Sequence, residues 1–143
     1  MRVPVLFVDD NTGFLHVVRS LFAPAPSPFV LHTVETGRDA LAFLERRPPF
    51  ADAPRPAFVV LDFRLPDMNA PAVLGRLAGQ RDLKAIPVLV LSQAGWESEA
   101  AAARIAGATV FRVKPSGVRA LQDLVVGFWK EHAHGGVGSA DRG

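Results

Sequence analysis

The sequence predicts an α/β fold, a doubly wound five-stranded parallel sheet with helices on both of its faces. Short apolar runs of strand length alternate five times with segments whose apolar residues recur at helical spacing. The run at residues 58–61 is wholly apolar and ends abruptly in Asp62, which is typical of a strand buried on both faces. With 143 residues, the chain has the size of one domain around a single core.

Composition argues against several other classes of protein. No apolar run approaches the roughly 20 residues that span a bilayer, and no secretory signal is visible at the N-terminus. The formal charge is only +2 and no basic run is interleaved with aromatic residues, so neither a membrane nor a nucleic acid is an expected partner. The chain has no Cys, which agrees with a cytoplasmic location.

Five apolar segments are predicted strands because they have strand length and are bounded by polar or turn-forming residues. A long proline-rich connector leads into the third of them, which ends in Asp62, and the fourth closes in Ser92. In chain order the predicted strands are residues 3–8, 29–34, 58–62, 86–91 and 109–113.

A predicted helix follows each strand. The fourth, residues 97–106, has acids in its first turn and Gly107 as its C-terminal stop. The fifth runs from Val118 to about His132, so the predicted domain covers residues 1–132 and the Gly-, Ser- and His-rich residues 133–143 are predicted to be a disordered tail. The predicted N-caps of the first, second, third and fifth helices are, in chain order, Asn11 or Thr12, Thr36, Asn69 and Ser116.

Polar residues stand where four of the predicted strands end: Asp9 and Asp10, then Asp62, Ser92 and Lys114. The carboxyl ends of parallel strands meet at one edge of the sheet, so these side chains are expected to converge there. Three clustered carboxylates repel one another unless a cation is supplied, and oxygen ligands favour Mg²⁺.

This arrangement points to phosphoryl chemistry. Lys114 and Ser92 can contact phosphoryl oxygens that the metal does not hold, and Asp62 is then a nucleophile that forms an aspartyl phosphate. Each residue alone has an ordinary structural explanation, as a cap or a turn residue. Their occurrence at four strand ends in this order favours the functional interpretation.

These residues resemble the receiver domain of bacterial two-component response regulators, from about Val3 to His132. The resemblance implies a flavodoxin-like sheet of order 2-1-3-4-5 and phosphorylation of Asp62 by a sensor histidine kinase. The motifs that carry it are Asp9-Asp10-Asn11, Asp62 with Leu65-Pro66-Asp67-Met68, Ser92, Gly107-Ala108, Phe111 and Lys114-Pro115.

The resemblance also implies roles for individual residues. Mg²⁺ would be bound by Asp10, Asp62 and the main-chain carbonyl of Arg64, with Asp9 acting largely through water. Ser92 would hydrogen-bond the phosphoryl group and Lys114 would pair with it. Phosphorylation would pull Ser92 and its loop, opening space that the switch residue Phe111 fills.

The sequence departs from the family pattern in three places. Gln93 stands where the family usually has Ala or Gly, and its bulk could crowd the phosphoryl site. Ala70 replaces a common Gly, and Arg64 could modulate hydrolysis of the phosphoryl group. These departures concern the lifetime of the phosphoryl group more than metal binding.

The last helix supplies a predicted partner face. Leu121, Leu124, Val125 and Phe128 form its core stripe, and an apolar flank lies beside it. The flank suggests a homodimer or partner contact through the last two helices and last strand, although Trp129 packing on its own domain is an equal alternative. The residues of this flank are Val118, Val126 and Trp129.

The leading functional hypothesis is a single-domain response regulator, which accepts phosphoryl but turns over no separate substrate. The proline-rich loop before the third strand and the Phe128-Trp129 pair resemble regulators paired with bacterial phytochrome kinases. One alternative is a receiver-like adaptor that binds a kinase or another protein without phosphorylation. Another is a phosphatase of the haloacid dehalogenase type, which is disfavoured because the two Asp after the first strand are adjacent.

Overall fold

The computed structural model describes residues 2–134 and has a five-stranded parallel sheet of order β2-β1-β3-β4-β5, which confirms the predicted fold and strand order. The strands are β1 Val3–Val8, β2 Phe29–Val34, β3 Phe58–Asp62, β4 Val88–Ser92 and β5 Val110–Val113. The helices are α1 Thr12–Phe22, α2 Gly37–Leu44, α3 Ala70–Ala78, α4 Glu97–Ala106 and α5 Val118–Phe128, and a π-helical turn, Trp129–His134, continues α5.

Two hydrophobic cores lie on opposite faces of the sheet because side chains alternate along each strand. In β3, Val59 and Leu61 pack into the core under α2, α3 and α4. Phe58 and Val60 point the other way, into the core under α1 and α5. All five β3 residues are buried, as expected of a central strand in a doubly wound sheet.

Strand register brings the carboxyl ends of the central strands together. Val8 pairs with Leu61, so Asp9 and Asp62 are the next residues along two adjacent strands. Asp62 pairs with Leu91, and Ser92 pairs with Val113, the residue before Lys114. The register therefore assembles the predicted polar residues at one edge of the sheet.

Side-chain caps begin three of the helices, as predicted. Asn11, Thr36 and Asn69 each accept a hydrogen bond from the amide three residues later. The predicted cap of the last helix is wrong. Gly117, not Ser116, is the N-cap of α5, and no side chain there accepts a capping hydrogen bond.

Three predicted boundaries also shift. β4 begins at Val88 rather than Ile86, because Ile86 donates its amide to Leu83 in a preceding turn and Pro87 has no amide to donate. β5 begins at Val110, one residue later than predicted. The last helical turn extends to His134, so residues 133 and 134 do not belong to a disordered tail, and the rest of that predicted tail lies outside the described residues.

Among the described residues, no helix combines the length and the apolar character needed to cross a membrane.

Candidate functional site

Three carboxylates converge at the carboxyl end of the sheet, as the sequence predicts. Asp9, Asp10 and Asp62 each offer a ligand oxygen, and these oxygens lie within 4.8 Å of one another. Asp9 and Asp62 are buried, whereas Asp10 is exposed. Asp9 is fixed by the amide of Asn11, which donates to Asp9 Oδ1 at 2.9 Å and so couples the carboxylate to the cap of α1.

Lys114 is the cation of this cluster. Its Nζ lies 2.8 Å from Asp9 Oδ2 and 3.9 Å from Asp62 Oδ1. The ammonium also lies 4.5 Å from the centroid of the Phe14 ring, which adds a cation–π contact. One ammonium thus faces three carboxylates, and the cluster retains an excess of negative charge.

The charge imbalance acts on Asp62. Burial raises the pKa of its carboxyl to about 7, and repulsion from Asp9 and Asp10 adds to this effect against the opposing influence of Lys114 and of a hydrogen bond from the Phe63 backbone. A second positive charge at the cluster would favour the ionised form. The donor set is all oxygen, so the residues present fit a hard divalent cation.

A cavity of about 320 Å³ opens beside the cluster. Its lining includes five site residues predicted from the sequence: Asp10, Asp62, Arg64, Ser92 and Lys114. Its volume is several times the roughly 30 Å³ that one water occupies in the liquid, so it has room for a phosphoryl group with its hydration. Exposed Gln93 also lines the cavity, in keeping with the prediction that it stands near the phosphoryl site.

Sequence reasoning missed the buried acid of the site, Glu99 in the first turn of α4. Its side chain is 6% exposed. It accepts a hydrogen bond from the Ser92 hydroxyl and forms a 2.6 Å ion pair with Arg64. The acids of this turn were interpreted only as favourable for the helix N-terminus. The missed signal is that Glu99 lies four residues before buried Ala103, on the same helix face.

Three other residues singled out from the sequence, Phe111, Arg64 and Ala70, lie around the site in different environments. Phe111 is half-buried and packs edge-to-face on Phe63, with ring centroids 6.3 Å apart. Arg64 lines the cavity, and its carbonyl remains a predicted metal ligand. Ala70 is fully buried at the start of α3, where its amide donates to Phe63, so the loop closes on a helix without a glycine.

The predicted partner face is only partly exposed. Val118 is 55% exposed. Val126 and Trp129 pack instead against the domain's own core, and the Trp129 ring lies 5.2 Å from that of Phe29 in an edge-to-face contact. Trp129 therefore follows the alternative interpretation, packing on the edge of its own domain.

Comparison with known proteins gives consistent matches over most of the chain. The model of the response regulator receiver domain family matches residues 5–126. Response regulator Rcp1 of Synechocystis is 28% identical over 130 residues, which cover 89% of this chain and 88% of Rcp1.

Solved structures of similar proteins share the fold. The phosphorylated cyanobacterial phytochrome response regulator RcpA aligns with a TM-score of 0.82 and 26% identity, over 92% of this chain and 94% of RcpA. The Mn²⁺-bound form of Rcp1 aligns with a TM-score of 0.77 and 26% identity, over 89% of this chain and 91% of Rcp1. The response regulator RPA3017 of R. palustris, which acts in red light signalling, aligns with a TM-score of 0.80 and 25% identity, over 89% of this chain and 91% of RPA3017.

These matches confirm the predicted resemblance, including its narrower form, because phytochrome response regulators are among the similar proteins. Together with the strand-end cluster, they establish that the chain belongs to the response regulator receiver domain family of two-component signalling.

Proposed function

We propose that this receiver accepts a phosphoryl group on Asp62 from a histidine kinase and signals through a phosphorylation-dependent change of its surface. The observation that carries the proposal is the position of Asp62 at the end of β3, in an open cavity, with Lys114 Nζ 3.9 Å from its carboxylate and two further carboxylates beside it. The site thus offers a nucleophile, a cation and a set of metal ligands around one space.

Mg²⁺ is the proposed cofactor. Asp10, Asp62 and the carbonyl of Arg64 would hold it, with Asp9 acting largely through water. When bound, it supplies positive charge that neutralises the carboxylates and the phosphoryl oxygens. The acidic cluster supports this assignment, and the similar protein Rcp1 has a Mn²⁺-bound form.

In the transfer, a carboxylate oxygen of Asp62 attacks the phosphorus of a phosphohistidine. One P–O bond forms, the P–N bond breaks, and the leaving imidazole nitrogen takes up a proton. Lys114 is within reach to pair with the phosphoryl group, and the Ser92 hydroxyl can donate to a phosphoryl oxygen. The chain is a stoichiometric acceptor in this scheme rather than a turnover enzyme.

The proposed output is a rearrangement of Ser92 and Phe111 that reaches the face formed by α4, β5 and α5. Apolar side chains are exposed on each of these elements: Ile105, Val113 and Val118. We propose this face as the contact surface for a homodimer or a partner protein. The similarity to RcpA and RPA3017 supports a bacteriophytochrome as the kinase, and the absence of Cys agrees with action in the cytoplasm.

The test is intact-mass spectrometry after incubation with Mg²⁺ and acetyl phosphate, beside an Asp62→Asn control. We expect the wild-type protein to gain one phosphoryl group that hydroxylamine removes, and the control to gain none. No adduct on the wild-type protein, from acetyl phosphate or from a phosphorylated kinase, would overturn the proposal in favour of a phosphorylation-independent adaptor. Equal labelling of the control would overturn the assignment of Asp62.

A further inference from the structure

Glu99 is a buried carboxylate in the cavity wall that the proposed phosphoryl transfer does not use. Its two oxygens have different partners. Oε1 accepts a hydrogen bond from the Ser92 hydroxyl at 2.5 Å, and Oε2 accepts one from Arg64 Nη2 at 2.6 Å. A buried carboxylate requires such partners, so Glu99 holds both side chains in place beside Asp62.

Ser92 has one hydroxyl proton and donates it to one acceptor at a time. In this structure the acceptor is Glu99. In the proposed function, the same proton is donated to a phosphoryl oxygen on Asp62. The two acceptors therefore compete for Ser92, and its hydrogen bond to Glu99 has to break when the phosphoryl group is bound.

Arg64 has a similar alternative. Its side chain is 69% exposed, and its guanidinium carbon lies 5.9 Å from the ring centroid of Phe63 and 6.0 Å from that of Trp96. A phosphoryl dianion on Asp62 would attract this guanidinium away from Glu99. Glu99 would then be a buried carboxylate without partners, next to a new negative charge. Its buried position would become unfavourable for that reason.

Glu99 is the third residue of α4, so its displacement acts on the first turn of that helix. Trp96, at the N-cap, provides no side-chain capping hydrogen bond to this turn. We propose that Glu99 is a positioning residue: it holds Ser92 and Arg64 in the unphosphorylated protein, and phosphorylation of Asp62 displaces it and frees the first turn of α4. This inference rests on the proposed function.

The test uses Mg²⁺ with beryllium fluoride, a phosphoryl mimic that adds to carboxylates. Trp96 lines the cavity and reports the change by fluorescence in a Trp129→Phe background, which removes the second of the two Trp. We expect Glu99→Gln to lower the fluoride-complex concentration at half-maximal response about tenfold, because a charge-assisted competitor is weakened. The matched control Glu97→Gln, exposed in the same turn, should leave that concentration unchanged.

Two further measurements separate this role from a merely structural one. In a Ser92→Ala background, Glu99→Gln should have a much smaller effect, because the proton for which Glu99 competes is gone. In the wild-type protein, the amide of Ala100, which donates to the Trp96 carbonyl at the start of α4, should exchange hydrogen faster when beryllium fluoride is bound, a result that needs no variant to fold.

A Glu99→Gln protein that responds at the wild-type concentration, or unchanged exchange of the Ala100 amide in the saturated wild-type protein, would overturn the inference. A wild-type protein that gains no phosphoryl group from acetyl phosphate or from a phosphorylated kinase would overturn the proposed function, and this inference with it. The two failures are distinguishable because the labelling experiment does not involve Glu99.

Discussion

At the scale of single residues, the charge balance around Asp62 determines what the site can do. The Lys114 ammonium lies 2.8 Å from an oxygen of buried Asp9 but 3.9 Å from an oxygen of Asp62, so it stabilises the Asp9 carboxylate more than the Asp62 carboxylate. The Asp62 carboxyl therefore has a raised pKa, of about 7. A cation bound at the cluster would stabilise the folded protein and favour the ionised form of Asp62, which is the form that the proposed attack requires.

This residue predicts a pH dependence of stability in cation-free buffer. The unfolded chain releases the Asp62 proton near the ordinary pKa of 3.8, whereas the folded protein keeps it up to about pH 7. The folded state binds more protons between these values, so the free energy of unfolding falls as pH rises through that window. Between these pH values, the free energy of unfolding of the wild-type protein should fall by about 1–2 kcal/mol relative to that of Asp62→Asn. The amount is modest because water screens the charges at the open site.

Urea denaturation of both proteins at several pH values measures this difference, and saturating Mg²⁺ should remove it. If the wild-type protein and Asp62→Asn have the same pH profile of stability in cation-free buffer, the pKa of the Asp62 carboxyl is not raised in the folded protein.

Most residues of the site could be predicted from the sequence because they stand at the ends of predicted strands. Asp9, Asp10, Asp62, Ser92 and Lys114 follow apolar runs, and strand register then brings them together. Glu99 was not found in this way because it comes from a helix. Its inward direction depends on how α4 packs, and an acid in a first turn is favourable at the helix N-terminus whether or not it is buried.

At the scale of elements, the loop after β3 is tied to the helix before it. Asp67 accepts hydrogen bonds from the amides of Gly37 and Arg38, both at 2.9 Å, and so caps α2 from a distant loop. Burial raises the pKa of this carboxyl, but those hydrogen bonds outweigh it and hold the pKa below its ordinary value. The stabilisation is therefore present at neutral pH and is lost in acid, as pH falls through the lowered pKa.

We expect Asp67→Ala to lower the free energy of unfolding by about 1–2 kcal/mol, because two amides at the start of α2 lose a charged acceptor. The matched control is Asp52→Ala, an exposed loop position that should change stability by less than about 0.5 kcal/mol. Urea denaturation at neutral pH compares the two. Equal small effects would mean that the Asp67 hydrogen bonds add nothing to stability.

The element boundaries show where local patterns are insufficient. The acids of its first turn and Gly107 as its stop correctly predict α4 as residues 97–106. Gly107, with φ of +119°, ends the helix in a left-handed conformation that favours glycine. Ser116 is a favourable cap residue, yet Gly117 takes that position. The choice between adjacent residues depends on how the chain leaves β5, which the local sequence does not specify.

At the scale of the whole molecule, the proposed phosphoryl site lies at the carboxyl ends of the strands, and exposed apolar side chains lie on α4, β5 and α5, the elements that follow Ser92 in the chain. β5 is an edge strand, and Val113, one residue before Lys114, is 52% exposed. A change around Lys114 and Ser92 therefore has a short path to the proposed contact surface.

If that surface supports self-association, Val118→Ser should weaken the dimer about tenfold or more, because an exposed apolar side chain at an interface is replaced by a polar one. The matched control is Val30→Ser, also exposed but on β2 at the opposite edge of the sheet. Sedimentation velocity over a range of concentrations, with and without phosphorylation, measures both. A wild-type protein that stays monomeric throughout would contradict the homodimer.

The parallel sheet with helices on both faces was predictable because the alternation of strands and helices is a local feature of the sequence, whereas the strand order was predicted from the resemblance to receiver domains. The direction of Trp129 was not, because a flank residue on α5 can face a partner or its own domain with the same spacing. Here Phe29 of the edge strand offers an aromatic contact, and the ring packs on it.

Chemical mapping identifies the carboxylate that accepts the phosphoryl group. The protein is phosphorylated with acetyl phosphate and Mg²⁺, reduced with borohydride, which converts an aspartyl phosphate to homoserine, and digested for peptide mass spectrometry. We predict homoserine at position 62 and at no other carboxylate. Homoserine at position 9 or 10, with Asp62 unmodified, would show that Asp62 is not the phosphoryl acceptor.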